Sequence, residues 1–324
     1  MSAETVRSIG ILAADTAVEA AWAQWGALTA AAVPVGRLRI WTIIDPEALL
    51  LLSLAVRDRE RRLNDLLAGW ARAGSSLLSV QRLRTLAKEF PPPVREQVGD
   101  FARHAADAGD RRWRKHAAGP DEDGSPEPRR KDTGPLRLVE GPTLMLRLRA
   151  GFGVGAKADL LAFLLGLGGA AAELKAITVA TGYSGRAMRT AAEEMALARF
   201  IHEIQGPPSA YRADPAAWER VLETHQLDPR PESHPGIPPW RFWSVAFAFL
   251  ADVVRWAEEA EGEEWSGYYA SSRARDLMEV HRRRLRYLQL HLAAGDWARG
   301  AAYLDPFRDI VERVSTWVRE SLYE

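Results

Sequence analysis

The chain has 324 residues, 47% of them apolar and 27% charged, which is room for two or three globular domains and excludes a largely disordered polymer. Lysine plus arginine and aspartate plus glutamate stand at 43 each, so a net charge of zero argues against broad, non-specific polyanion binding and leaves only local patches. No cysteine is present, which excludes disulfides and thiolate metal sites.

The first element expected is one long Ala-rich helix over residues 4–31. Its acidic residues and lack of a cleavage-site arrangement do not describe a signal peptide. Asp45 is placed to cap a helix over Pro46–Val56, with proline at the favoured first helical position. Helices over Arg61–Ala73 and Ser79–Phe90 follow, the second stopped by Pro91, Pro92 and Pro93. These elements make an N-terminal helical domain over residues 1–104, whose order is open to reading as a second, degenerate winged helix. Residues 105–135 lose apolar periodicity and are rich in Gly, Pro and mixed charge, as in a flexible linker. Within them Arg111–His116 reads either as a basic arm or, more commonly, as a solvated run.

The third segment, residues 136–214, carries the strongest signal. A helix over Thr143–Ala150 leads into Gly151–Lys157, GFGVGAK. That loop lacks the adjacent Gly-Lys followed by Ser or Thr that a phosphate-binding P-loop needs, so it reads as a hinge. Ala158–Leu167 is an apolar helix stopped by Gly168 and Gly169. The next helix spans about Ala172–Thr181, with Leu174, Ile177 and Thr178 inward and Gly182 as its C-terminal stop. Ser184 is a natural N-cap for a third helix, and Tyr183 and Met188 flank it as a hydrophobic staple. Met188, Ala191, Ala192 and Met195 recur at i, i+3, i+4 and i+7, so Arg186, Arg189, Thr190 and Glu193 face away. Phe200, Ile201 and Ile204 then form a strand, Gln205–Ser209 a tight turn and Ala210–Arg212 the returning strand.

Three helices and a two-stranded wing are the order of a winged helix-turn-helix. The run TGYSGRAMRTAAEEMALARFI resembles the core of MarR/ArsR-type winged-helix regulators over about residues 157–214. The resemblance rests on the Thr-Gly-Tyr-Ser turn, the inward Met188 and Met195, and the Phe-Ile strand. It implies that Ser184, Arg186, Arg189 and Thr190 face bases or phosphates. The wing, edged by Arg199 and Arg212, would touch the DNA backbone. Winged helices also serve as protein-binding modules, in which case Arg186 and Arg189 are a solvated face.

The last segment, residues 215–324, reads as a C-terminal helical bundle. Its helices are expected over Ala216–His225, then, after a Pro-rich break at Pro229–Pro239, over Trp240–Glu261, Ser266–Ala294 and Pro306–Leu322. Trp240, Phe242, Trp243, Phe247 and Leu250 form a strip that either fills the bundle or supplies a dimer face. The cluster His281–Arg286, HRRRLR, is a basic stretch whose Arg282, Arg283 and Arg286 share an edge. The apolar run Phe242–Val254 is broken by Asp252 and falls short of the about 20 residues a bilayer span needs.

The fold class expected is therefore mainly α: a winged helix-turn-helix with a short β-wing, flanked by helical domains. The function expected is a cytoplasmic DNA-binding transcriptional regulator. Its partners are double-stranded DNA and a second copy of the chain as a homodimer, with no membrane. The alternative is an adaptor or antitoxin-like protein that binds another protein through its helical parts. The seven histidines show no metal-ligand spacing and no nucleophile motif appears, so no metal, cofactor or enzymatic activity is expected.

Overall fold

The computed structural model describes residues 2–29, 40–118, 134, 136–222, 236–290 and 300–323. The chain is mainly helical, with one small antiparallel sheet. Helix α1 spans Ser2–Leu28 and buries a column of alanines: Ala13, Ala14, Ala17, Ala20 and Ala21. Small side chains let a second helix, α11 (Trp243–Gly262), lie almost on its backbone. At Gly10 the approach is closest, since a Cβ there would stand 2.3 Å from Cβ of Ala257.

Asp45 caps α2 (Pro46–Ala55) by accepting from the Ala48 amide at 3.0 Å, with Pro46 opening the helix. Nearly every residue of α2 is buried, so it reads as an apolar run rather than an amphipathic stripe. Helices α3 (Arg62–Ala73), α4 (Val80–Leu86) and α5 (Pro92–Asp107) pack around it. The prolines that were expected only to stop α4 also start α5, a helix not foreseen from the sequence, because proline tolerates the first helical turn.

The linker expected over 105–135 does not begin there. Residues 105–107 finish α5, and Arg111–His116 forms a short 3-10 helix whose Trp113 is fully buried, edge-on to Phe101 at 5.2 Å. One large aromatic side chain is enough to anchor an otherwise polar run. Residues 119–133 and 135 of that expectation lie outside the described residues.

Helices α6 (Leu144–Phe152) and α7 (Ala156–Gly166) meet across a loop in which Gly153 adopts φ 86°. Strand β1 (Ala172–Glu173), helix α8 (Leu174–Thr181), helix α9 (Gly185–Leu197), strands β2 (His202–Ile204) and β3 (Ala210–Arg212), and helix α10 (Pro215–Leu222) follow. The sheet order is β1-β3-β2, with Ala172 opposite Tyr211 and Glu203 opposite Tyr211 on the other edge. Ala172 and Glu173, expected to open a helix, are thus recruited as a third strand. The strand expected from Phe200 begins only at His202.

Helices α12 (Gly267–Leu285) and α13 (Leu304–Leu322) complete the chain. Here the expected division changes. Helices α11, α12 and α13 share one continuous core with α1 to α5, so the N-terminal and C-terminal helical segments are a single body. A second core, built from α6 to α10, the sheet and Trp240, lies beside it. The two are stitched where Trp243 donates to the Ile43 carbonyl (3.1 Å), while within the second core the Trp240 amide donates to the Gly166 carbonyl (2.8 Å). The aromatic strip considered as a dimer face is used up here: Trp240, Trp243, Phe247 and Leu250 are buried within the chain itself. Among the described residues no helix is long and apolar enough to cross a membrane.

Gly10→Val should force α1 and α11 apart. We expect a loss of about 1–3 kcal/mol, the usual cost of overpacking, read as a lower urea midpoint at unchanged m-value. An unchanged midpoint would show that the two helices do not meet at Gly10.

Candidate nucleic-acid interface and the ion cluster beneath it

The exposed face of α9 is set by its two ends and its inner row. Gly182, φ 70°, ends α8 in the left-handed region, and its amide bonds to the Thr178 carbonyl. A Cβ at Gly182 would stand 2.9 Å from Leu86 of α4, so glycine serves both the turn and the close approach. Ser184 caps α9, accepting from the Ala187 amide at 3.3 Å, while Tyr183 and Met188 on either side are buried. Met188, Ala191, Ala192 and Met195 face the second core. The inner face of α8 is shifted from expectation: Ile177, Ala180 and Thr181 are buried, whereas Leu174 and Thr178 are only partly so.

Ser184, Arg186, Arg189 and Thr190 are all exposed on the N-terminal half of α9. The C-terminal half is acidic. Glu193 is exposed, and Glu194 pairs with Lys157 at 2.7 Å. Tyr211 on β3 senses the mixed field. Its hydroxyl is held above the ordinary tyrosine range by burial and by Glu203 and Glu193, with Arg189 opposing. Arg199 sits past the end of α9 at φ 60°, and Arg212 lies at the end of β3 opposite His202. Both are exposed, so the six residues named from the sequence are all on the surface. Four share one helix face, and the two arginines stand apart at the hairpin.

Beneath this face lies a feature the sequence reading did not find. Two arginines and three carboxylates are buried together: Arg82 of α4, Arg149 of α6, Asp45 at the cap of α2, Glu47 within it, and Asp159 of α7. Arg149 makes a bidentate pair with Asp159 (2.7 Å twice) and a second with Glu47 (2.6 and 3.0 Å). Arg82 grips Asp45 through both terminal nitrogens (2.6 and 2.5 Å) and also reaches Glu47. Its Nε donates to the Thr181 carbonyl at the end of α8. The Ser79 amide donates to Glu47 at 2.7 Å, and the Tyr183 hydroxyl to Ser79 Oγ at 3.1 Å. Burial by itself would raise the Glu47 pKa, but Arg149 and Arg82 overcome it and hold the carboxyl below its ordinary range. Asp45 was foreseen only as a cap. The clue to the others was a charged residue set inside an apolar run, as in MLRLR around Arg149 and ADLLAF around Asp159.

This arrangement is a cross-link rather than an acid–base site, because every carboxylate is already held by guanidinium forks. Among the described residues no group of three or more His, Asp or Glu is placed to hold a metal ion. No family model, no curated protein and no solved structure matches the chain.

Glu47→Gln should cost about 3–5 kcal/mol, because it breaks the buried pairs to both Arg82 and Arg149 and sets an amide NH2 against their donors. The pH dependence has a definite sign. A carboxyl whose folded pKa is depressed contributes stability above its unfolded pKa, and that contribution disappears as pH falls through the folded value. Denaturation midpoints taken from neutral to acid pH should therefore fall more steeply for the native chain than for the variant. Parallel curves would remove Glu47 from the network's energetics.

Proposed function

We propose that the α7–α8–α9 unit with its hairpin acts as a winged helix-turn-helix that binds double-stranded DNA, and that the protein regulates transcription. The observation that carries this reading is the exposure of Ser184, Arg186, Arg189 and Thr190 together on the N-terminal half of a helix whose opposite face is fully buried. In helix-turn-helix proteins it is the N-terminal residues of the second helix that reach base edges. Arginine pairs in two-pronged fashion with guanine, and serine and threonine hydroxyls suit phosphates or bases. The acidic C-terminal half of α9, with Glu193 and Glu194, would then point away from the backbone. Arg199 and Arg212 supply the only cations among the residues of the hairpin and its approach.

The reading as a protein-binding adaptor has one observation in its favour. Leu197 is 87% exposed at the end of α9, close in sequence to Phe200, which is itself exposed and packs edge-on to Phe152 and Trp218. A modest apolar patch of this kind suits a protein partner. It lies beyond the acidic end of α9, away from the cationic half.

Arg189→Ala should weaken binding to a duplex selected from a random-sequence pool by about 1–3 kcal/mol and relax preference at one base pair. Titrations by fluorescence anisotropy read both effects. If Arg186→Ala and Arg189→Ala each bind as the native chain does, with melting unchanged, α9 is not the recognition helix.

A further inference from the structure

A cleft of about 630 Å3 opens between α4 and the 3-10 helix Arg111–His116. One wall is a stripe along α4 and its short 3-10 extension: Gln81, Arg84, Thr85 and Lys88, at i, i+3, i+4 and i+7. The other wall is the 3-10 helix Arg111–His116, which contributes Arg112 and His116. These six side chains are polar and four are basic types; Ser79, Val80 and Val154 complete the lining.

The charges of the cleft are only partly answered. Arg112 is clamped by Asp110 at 2.6 Å, and Glu89, next to Lys88 in sequence, is taken by Arg284 at 2.8 Å. Arg84 and Lys88 are exposed and have no ion-pair partner among the described residues. The local potential is positive enough to act on a neighbour. Partial burial, Arg84 and Lys115 together hold the His116 imidazolium below the ordinary histidine range. A small organic ligand would want apolar walls with a few polar groups. Here a row of donors spans about two helical turns, roughly 10 Å, a reach suited to a chain of phosphates.

The position of the stripe is fixed with respect to α9. The inner face of α4 carries Arg82, locked in the ion cluster and bonded to the last turn of α8. Leu86 meets Gly182, and Ser79, which lines the cleft, accepts from Tyr183, the residue before the α9 cap. Donors held in place in advance lose little freedom on binding.

We propose that the Arg84–Lys88 stripe, with His116 opposite, binds the phosphate backbone of the same DNA duplex that α9 engages, extending the contact onto the all-helical body. The proposal rests on the DNA-binding reading and deepens it. It also accounts for how a chain of zero net charge, with few cations on its hairpin, gathers enough positive charge to hold a duplex.

The test is the doubly substituted chain Arg84→Ala/Lys88→Ala, compared with the native chain and with Arg189→Ala on the selected duplex. Each phosphate contact contributes about 0.9 to the slope of log affinity against log salt, so the double variant should lower that slope by about two. It should weaken binding to all sequences alike, and the hydroxyl-radical footprint should shrink on one flank. Both residues are exposed, so thermal melting should not move. An unchanged slope and footprint, while Arg189→Ala still weakens binding, would overturn the proposal and leave the DNA-binding reading standing. Altered sequence preference in place of uniform weakening would also overturn it, since the stripe would then be reading bases. If the native chain enriches no duplex from the pool, both readings fall together.

Discussion

Five buried charges hold this protein in one piece. Moving a carboxylate or a guanidinium out of water costs several kcal/mol, so such a group persists only where its partners are well placed. Here the backbone helps as much as the side chains. Asp45 and Glu47 stand at the start of α2, and Asp159 is in the first turn of α7, where helix dipoles favour negative charge. Arg149 is in the last turn of α6, and Arg82 bonds a carbonyl in the last turn of α8, where positive charge is favoured. Three carboxylates facing two guanidiniums would be unbalanced in isolation. The amides of Ala48 and Ser79 and the aligned helix ends make up the difference.

The consequence is geometric. The cluster draws on α2 and α4 from one core and on α6, α7 and α8 from the other, so the two cores cannot shift against each other without exposing or stranding a charge. The turn that sets α9, with Gly182 against Leu86 and Tyr183 bonded to Ser79, is thereby tied to the helical body. This cross-link is what holds α9 in a fixed position against α4.

The large helices play a different part. The column of alanines in α1 and the aromatics of α11 bury each other, with Trp243 stacked on Phe247 and Trp256 edge-on to Phe307. That core takes up Trp243, Phe247, Phe249 and Trp256 of α11. Apart from Leu197 and Phe200 at its end, what remains outside near α9 is polar and mixed in sign. Screening at physiological salt acts over about 8 Å, so the field at each face is set by its own charges more than by the net charge of zero.

The sequence by itself determined the local grammar of the chain. Asp45 and Ser184 as caps, Gly182 as a left-handed stop and the inward row Met188, Ala191, Ala192 and Met195 depend on interactions within a few residues, and they were legible for that reason. The exposed set Ser184, Arg186, Arg189 and Thr190 followed from the same helical phase. Other features depend on distant partners, and only the tertiary structure decided them. Ala172 became a strand because β3 offered it an edge, and Arg111–His116 became ordered because Trp113 found Phe101. The N-terminal and C-terminal helices merged because alanines in α1 fit the surface of α11. The ion cluster was the least visible of all, since its members are scattered from residue 45 to residue 159. No periodicity links charges that meet only after several helices have packed, because their pairing is set by where the helix ends converge in space.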